Sequence, residues 1–159
     1  MIIRNFQKTD REAVEAIFAL YWTDPVFLKE LSDKLQIFID DTQECRQQVL
    51  HFFVAEEEGE VIGIGGFMTA SDYLREYAKT DNPVEFYILA SKHRGRGIGG
   101  DLRIKMIEEA KKLGFTEVLF YSPNSHKESW SFHDSLGSKR LGEVIAPDGE
   151  PGQVWRGSL

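Results

Sequence analysis

The chain has 159 residues, 42% hydrophobic and 28% charged, with 26 acids against 19 bases and a formal charge of −7. That length fits a single domain over residues 1–159, and the composition is that of a soluble globular protein. It excludes a membrane-spanning run, and the acidic balance argues against nucleic acid as partner, because duplex binding needs a basic face. A cationic substrate such as an amine suits the charge better. Cys45 is the one cysteine and Met1-Ile2-Ile3-Arg4 runs straight into charge. With no internal disulfide and no signal-peptide pattern, the expected setting is cytoplasmic.

The elements alternate along the chain, which points to an α/β or α+β fold. Ile2 to Phe6 reads as a short strand. Thr9-Asp10-Arg11-Glu12 has the form of a capping box, and Ala13, Ile17, Leu20 and Tyr21 then recur at helical spacing. A second helical region is expected over roughly 26–49. His51 to Ala55 and Val61 to Phe67, joined through Glu58-Gly59, form a hairpin pattern. Residues 71–82 read as a polar loop with a short helix. Pro83 opens a strand through Leu89. After a Gly-rich turn comes a long helix with Ile98, Leu102, Met106, Ala110 and Leu113 on one face, closed by Gly114. Phe115 to Tyr121 is a further strand. Ser125 to Glu128 is a second capping-box pattern, opening a short helix that Gly137 ends. Two strand-like stretches, 139–146 and 153–156, close the sequence around Pro147-Asp148-Gly149.

The segment with chemical content is Leu89-Ala90-Ser91-Lys92-His93-Arg94-Gly95-Arg96-Gly97-Ile98-Gly99-Gly100, between a strand and a helix. Its glycines let backbone approach a ligand closely. The first-turn amides of the helix are unpaired and carry the positive end of its dipole. Lys92, Arg94, Arg96, Arg103 and Lys105 face one local acid, Asp101, in a chain that is acidic overall. A phosphate is the natural ligand. Gly95, Gly97 and Gly100 also satisfy G-x-G-x-x-G, but a dinucleotide site needs an acid at the end of the next strand, and Phe120-Tyr121-Ser122 supplies none. No Gly-Lys-Ser/Thr follows, so a Walker loop is excluded. The bland alternative is a Gly-rich turn with no ligand. His51, His93 and His126 show no metal-ligand spacing with Cys45. A G-x-S-x-G elbow is absent.

This segment resembles the signature of the GNAT superfamily of N-acetyltransferases, Q/R-x-x-G-x-G/A after the fourth strand, which Arg94-Gly95-Arg96-Gly97-Ile98-Gly99 matches in full. The resemblance covers nearly the whole chain. It implies a mixed, mostly antiparallel central sheet flanked by helices, with a cofactor-binding strand–loop–helix. It also implies acetyl-CoA as cofactor, with its pyrophosphate on Arg94, Gly95, Arg96, Gly97, Ile98, Gly99 and Gly100. The pantetheine arm would lie along Leu89 and Ser91, with the Leu89 amide facing the thioester carbonyl. Asn124 and Ser129 stand where the family contacts the cofactor arm. The family often has a tyrosine ahead of a Leu-Gly-Phe stretch as the acid for the thiolate. Here Leu136-Gly137-Ser138 is preceded by His133 at that place.

Acyl transfer needs a neutral amine, a stabilised oxyanion and a proton for the thiolate. Glu85, on the strand leading to the loop and of the same parity as Leu89, is the candidate base, with Tyr87 as a substitute. The bland alternative is a solvent-facing glutamate. His133 is the candidate acid, by its ordinary pKa, and Tyr121 a second. The expected acceptor is a primary amine on a small molecule or peptide, and a homodimer is kept open as the assembly. A non-catalytic acyl-CoA-binding module on the same fold would carry the same loop, so only turnover separates the two.

Overall fold

The computed structural model describes residues 1–159. Seven strands are β1 (Ile2–Asn5), β2 (His51–Glu57), β3 (Glu60–Thr69), β4 (Pro83–Ser91), β5 (Glu117–Pro123), β6 (Lys139–Ile145) and β7 (Pro151–Ser158). The α-helices are α1 (Arg11–Ala19), α2 (Pro25–Ile39), α3 (Gln43–Gln48), α4 (Asp72–Arg75), α5 (Ile98–Lys112) and α6 (Trp130–Ser135). Hydrogen-bonded neighbours run in the order β1-β2-β3-β4-β5-β7-β6. β4 and β5 are parallel, while β1–β2, β2–β3, β5–β7 and β6–β7 are antiparallel. The sheet is therefore mixed and mostly antiparallel, as expected. No helix is long and apolar enough to cross a membrane.

Two compact units share this chain. One is Met1–Phe67 with Ile88–Glu108, the other Met68–Tyr87 with Glu109–Leu159. In the first, α5 lies on β3 at unusually close range, and the reason is in the sequence. Gly63 and Gly65 fall on one strand face by the two-residue alternation. A Cβ built at Gly63 would stand 2.8 Å from the Ile98 side chain, and one at Gly65 would stand 2.7 Å from the Met106 sulfur. The absence of side chains lets Ile98, Leu102 and Met106 seat fully on the strand. The intervening Gly66 serves the other face, where a Cβ would strike the Phe52 ring at 2.6 Å. The glycines of Val61 to Phe67 are thus packing positions for a helix and a ring.

The second unit is built on β5 and β7. Phe120 and Trp155 are cross-strand partners with rings stacked 5.3 Å apart. On the opposite face, Leu119, Val144 and Val154 are buried with Ala70 and Leu74, and Tyr73, Tyr77 and Tyr121 pack against them.

Several sequence expectations shift. The helical region over 26–49 is two helices. Asp40-Asp41-Thr42 breaks it, with Asp41 left-handed at φ 47° and the Thr42 hydroxyl accepting from Cys45 N at 3.1 Å as a new N-cap. Such short polar side chains compete with the backbone for hydrogen bonds. The strand expected from Phe115 begins at Glu117, and Leu113 is exposed rather than on the buried face of α5. The Ser125–Glu128 pattern opens no regular helix: Asn124–Ser129 is a 3-10 segment kinked at His126, and α6 follows it.

The capping box expected at Thr9–Glu12 sits two residues earlier. The Asp10 carboxylate accepts from Gln7 N at 2.7 Å and from both terminal nitrogens of Arg4 at 2.8 and 2.9 Å. Asp10 is 5% exposed. The Arg4 guanidinium, with the Gln7 amide, holds its carboxyl below the usual carboxylate range despite burial. A depressed folded-state value stabilises the protein above the unfolded value of about 3.9, and that contribution is lost as pH falls through the folded value. Asp10→Asn should cost about 1–3 kcal/mol at neutral pH, because it removes the charge that Arg4 pairs with and turns one accepting oxygen into a donor facing donors. It should also flatten the fall in stability at acid pH. Urea midpoints followed from neutral pH into the acid range check both.

Candidate functional site

In the first unit, β4 ends at Ser91 and α5 begins at Ile98. The turn between them carries Gly95 at φ 75° and Gly97 at φ 79°, left-handed values that favour glycine, and a Cβ at either would meet nothing within 4 Å. The turn is therefore bare backbone facing open space. The first α-type bond of the helix runs from Asp101 N to Gly97 O at 3.0 Å. The amides of Ile98, Gly99 and Gly100 precede it, at the positive end of a 15-residue helix. Ile98 is buried against β3, so this helix end is fixed to the sheet.

The loop's cations are less available than the sequence suggests. Lys92 pairs with Glu60, and Arg96 pairs with Glu57 at 2.7 Å. Both glutamates come from the β2–β3 turn, and each partner cation pulls its carboxyl below the usual range. Arg103 is buried, and desolvation lowers its guanidinium pKa. Lys105 lies over the Phe53 ring at 5.9 Å. Arg94 sits over the Tyr21 ring, its guanidinium carbon 5.1 Å from the centroid. The local charge reversal counted along the chain is thus partly offset by two acids more than thirty residues away.

Leu89 and Ser91 are half-buried on β4. The Ser91 hydroxyl donates to the His93 carbonyl at 3.0 Å, and the Ser91 carbonyl accepts from the Tyr21 hydroxyl at 2.6 Å. Tyr21 carries no motif, and the sequence placed it only on the helical face of Ala13, Ile17 and Leu20.

The other candidates lie in the second unit. Glu85 is not solvent-facing. It is 7% exposed, and its Oε1 accepts from Ser71 N at 2.9 Å. It is the register partner of Leu119. Tyr121 follows Leu119 by two residues, so Glu85 and Tyr121 project from the same sheet face. The Tyr121 hydroxyl donates to the Glu150 carbonyl at 2.7 Å, and burial, reinforced by Asp148 and Glu150, raises its pKa well above the usual phenol value. His133 is half-buried on α6, its ring 4.9 Å from Phe120 and 5.1 Å from Trp155. Phe120 faces the other side of the sheet from Tyr121. The structure therefore puts His133 on one face and Glu85 with Tyr121 on the other. Asn124 opens the 3-10 segment, and the Ser129 hydroxyl donates to the His126 carbonyl at 2.8 Å.

The two ends of the β3–β4 ladder are one residue out of step: Ala70 N reaches Pro83 O, while Lys92 N reaches Ile62 O. One strand carries an extra residue between them.

A bare Gly-rich turn on a strand, feeding the exposed end of a packed helix within this strand order, defines an acyl-CoA-type transferase fold. The chain belongs to the acetyltransferase (GNAT) family, whose model matches residues 13–137. Acetyl-CoA is that family's donor. Human N-acetyltransferase 8B is 27% identical over 128 residues, 77% of this chain and 52% of that protein. The chain spans about half the length of the curated relatives it matches. Among solved structures, ribosomal-protein-alanine N-acetyltransferase from Brucella melitensis superposes with TM-score 0.73 at 21% identity, covering 100% of both chains. An aminoglycoside 6'-N-acetyltransferase complexed with coenzyme A gives TM-score 0.73 at 14% identity, covering 99% of this chain and 97% of that one.

The ion pairs at the loop generate a prediction. Glu57 and Glu60 would compete with a phosphate bound at this loop for Arg96 and Lys92. The double variant Glu57→Gln, Glu60→Gln should bind coenzyme A about 3–10-fold more tightly at low ionic strength, and the gain should fade at about 0.5 M salt as screening lengths shorten. Isothermal titration at two salt concentrations measures this.

Proposed function

We propose that the protein transfers an acetyl group from acetyl-CoA to a primary amine of a small molecule or peptide, as one catalytic domain over residues 1–159 working in the cytoplasm. The observation that carries this is the open turn at Gly95–Gly97 ahead of the fixed N-terminus of α5. In this reading the amides from Arg94 to Gly100 hold the pyrophosphate. Leu89 and Ser91 line the pantetheine arm, and the Leu89 amide stabilises the oxyanion. Asn124 and Ser129 contact the arm further along. The similar structures named for a ribosomal protein and for an aminoglycoside support both kinds of acceptor equally.

The amine attacks the thioester carbon, the C–S bond breaks, and the thiolate leaves. Two proton transfers complete the reaction. Glu85 takes the amine proton, directly or through water. His133 returns a proton to the sulfur. The amine adds to the carbonyl carbon to give a tetrahedral intermediate, and the thiolate leaves from it, so the two proton transfers act on different atoms, nitrogen and sulfur. His133 is preferred over Tyr121, because a phenol with a raised pKa is a poor donor to a thiolate.

A panel of amines assayed for thiol release, with acetyl-CoA as donor, tests the activity. Amide product with stoichiometric free thiol is expected; coenzyme binding with no release for any amine would sink the reading. Glu85→Gln should lower the rate by about 10²-fold near neutral pH and recover partly at high pH, as free amine accumulates. A pH–rate profile parallel to wild type and equal in height would remove Glu85 as the base. His133→Phe retains an aromatic ring beside Phe120 and Trp155. It should lower kcat about 10-fold or more with coenzyme A affinity unchanged; stopped titrations and steady-state rates separate the two effects.

A further inference from the structure

We propose that Tyr21 is a positioning residue for the coenzyme, one side chain that fixes both the end of β4 and the first arginine of the loop. The proposal rests on the coenzyme A reading above. Tyr21 lies just beyond α1, and its backbone continues the helix: Tyr21 N and Trp22 N both donate to the Phe18 carbonyl at 3.0 Å. Trp22 stacks on Phe18 at 4.4 Å with planes 9° apart, and Tyr21 meets Trp22 edge-on at 6.1 Å. Phe18 is in the core. Tyr21 is therefore held through Trp22 to a buried ring, although it stands at the start of an exposed stretch.

From this anchored base the side chain makes two contacts of different kinds. The hydroxyl donates to the Ser91 carbonyl at 2.6 Å. The Ser91–Lys92 peptide is planar and trans, so its C=O and N–H point in opposite directions. Lys92 N reaches Ile62 O on β3 at 2.8 Å. The Ser91 carbonyl consequently faces the other edge of β4, the edge on which a pantetheine arm would lie in the proposed mode. A carbonyl has two lone pairs, so the Tyr21 hydroxyl fixes this group without using up its accepting capacity. The ring face meanwhile carries Arg94 at 5.1 Å. That distance is within cation–π range and holds the guanidinium over the ring. The hydroxyl thus sets the arm end of the site and the ring sets the pyrophosphate end.

This division makes the two halves separable. Tyr21→Phe deletes the hydroxyl and keeps the ring; Tyr21→Ala deletes both. The probes are coenzyme A and ADP, which carries a pyrophosphate and no pantetheine arm. Tyr21→Phe should weaken coenzyme A by about 5-fold, one net hydrogen bond, and leave ADP within about twofold of wild type. Tyr21→Ala should weaken both, ADP by about 3–5-fold. A purely structural role would move both ligands together in Tyr21→Phe, and that result overturns the assignment. So does unchanged coenzyme A affinity in Tyr21→Phe, or tighter binding, which would make the hydroxyl a competitor for the strand edge. Melting curves of Tyr21→Phe confirm that the comparison is made on folded protein. Wild type binding neither probe would overturn the coenzyme A reading itself, whereas wild-type binding that Tyr21→Phe leaves untouched fails Tyr21 alone.

Discussion

The close seating of α5 on the glycine face of β3 is the constraint on which the Gly-rich loop depends. Ile98, Leu102 and Met106 are each at most 1% exposed, and each such burial is worth about 1.5–3 kcal/mol. They reach that depth only because residues 63 and 65 have no side chain. A methyl group there would stand 2.7–2.8 Å from its neighbours, well inside ordinary van der Waals contact, so the helix would have to move outward. Ile98 is the first residue of α5. A displaced helix would carry the loop amides with it, and directional donors lose strength quickly when misplaced. The glycines of β3 and those of the loop therefore serve one end: the former set where the helix starts, the latter leave its start accessible.

A second theme is the use of buried carboxylates as backbone clamps. Asp10 accepts from Gln7 N, Glu85 from Ser71 N, and Glu117 from both Lys79 N and Thr80 N as well as the Thr80 hydroxyl. The last two hold the segment between β3 and β4 at its two ends. Arg156 adds a bond to the Tyr77 carbonyl at 2.7 Å. Between these ties Tyr73 and Tyr77 pack onto the Leu119 cluster, and Tyr73 meets Tyr121 edge-on at 6.1 Å. A polar stretch with one turn of helix is thereby held to the same face that carries Glu85. Part of the chain's acidity is structural rather than solvating.

Element order and type were legible in the sequence because they rest on periodicity and on glycine, which act locally. The hairpin, the strand into the loop and the long helix all follow from alternation or helical spacing, and the glycines marked the turn between that strand and helix. What escaped was set by partners distant in sequence. The capping carboxylate moved to Asp10 because Arg4 and the Gln7 amide both donate to it. The break at Asp41 is a choice between helix and side-chain hydrogen bonds that spacing alone does not decide. Lys92 and Arg96 counted as bare cations until the end of β2 and the start of β3 brought Glu57 and Glu60 beside them. Glu85 stood between candidate base and solvent-facing glutamate, because nothing in the chain announces that Ser71 N will bond its carboxylate. The faces of His133 and Tyr121 follow from adjacent positions on β5, yet His133 reaches its face only through α6, whose start the sequence misplaced.

These pairings bear on how an anion would be held. Glu57 and Glu60 largely balance Arg96 and Lys92, so the loop exerts a weaker field than its composition implies. Exposed pairs of this kind contribute about 0–1 kcal/mol, so a phosphate can displace them at little cost. The amides of Ile98, Gly99 and Gly100 are different. Their direction is fixed by a helix whose first turn is packed on β3, and they need no reorganisation to receive a ligand. Selectivity for a pyrophosphate over other anions would then come from placed donors and an unobstructed turn more than from net charge. An acidic protein can hold an acidic cofactor on those terms, because the attraction is short-ranged and directional while the repulsion from the remaining surface is screened within about 10 Å.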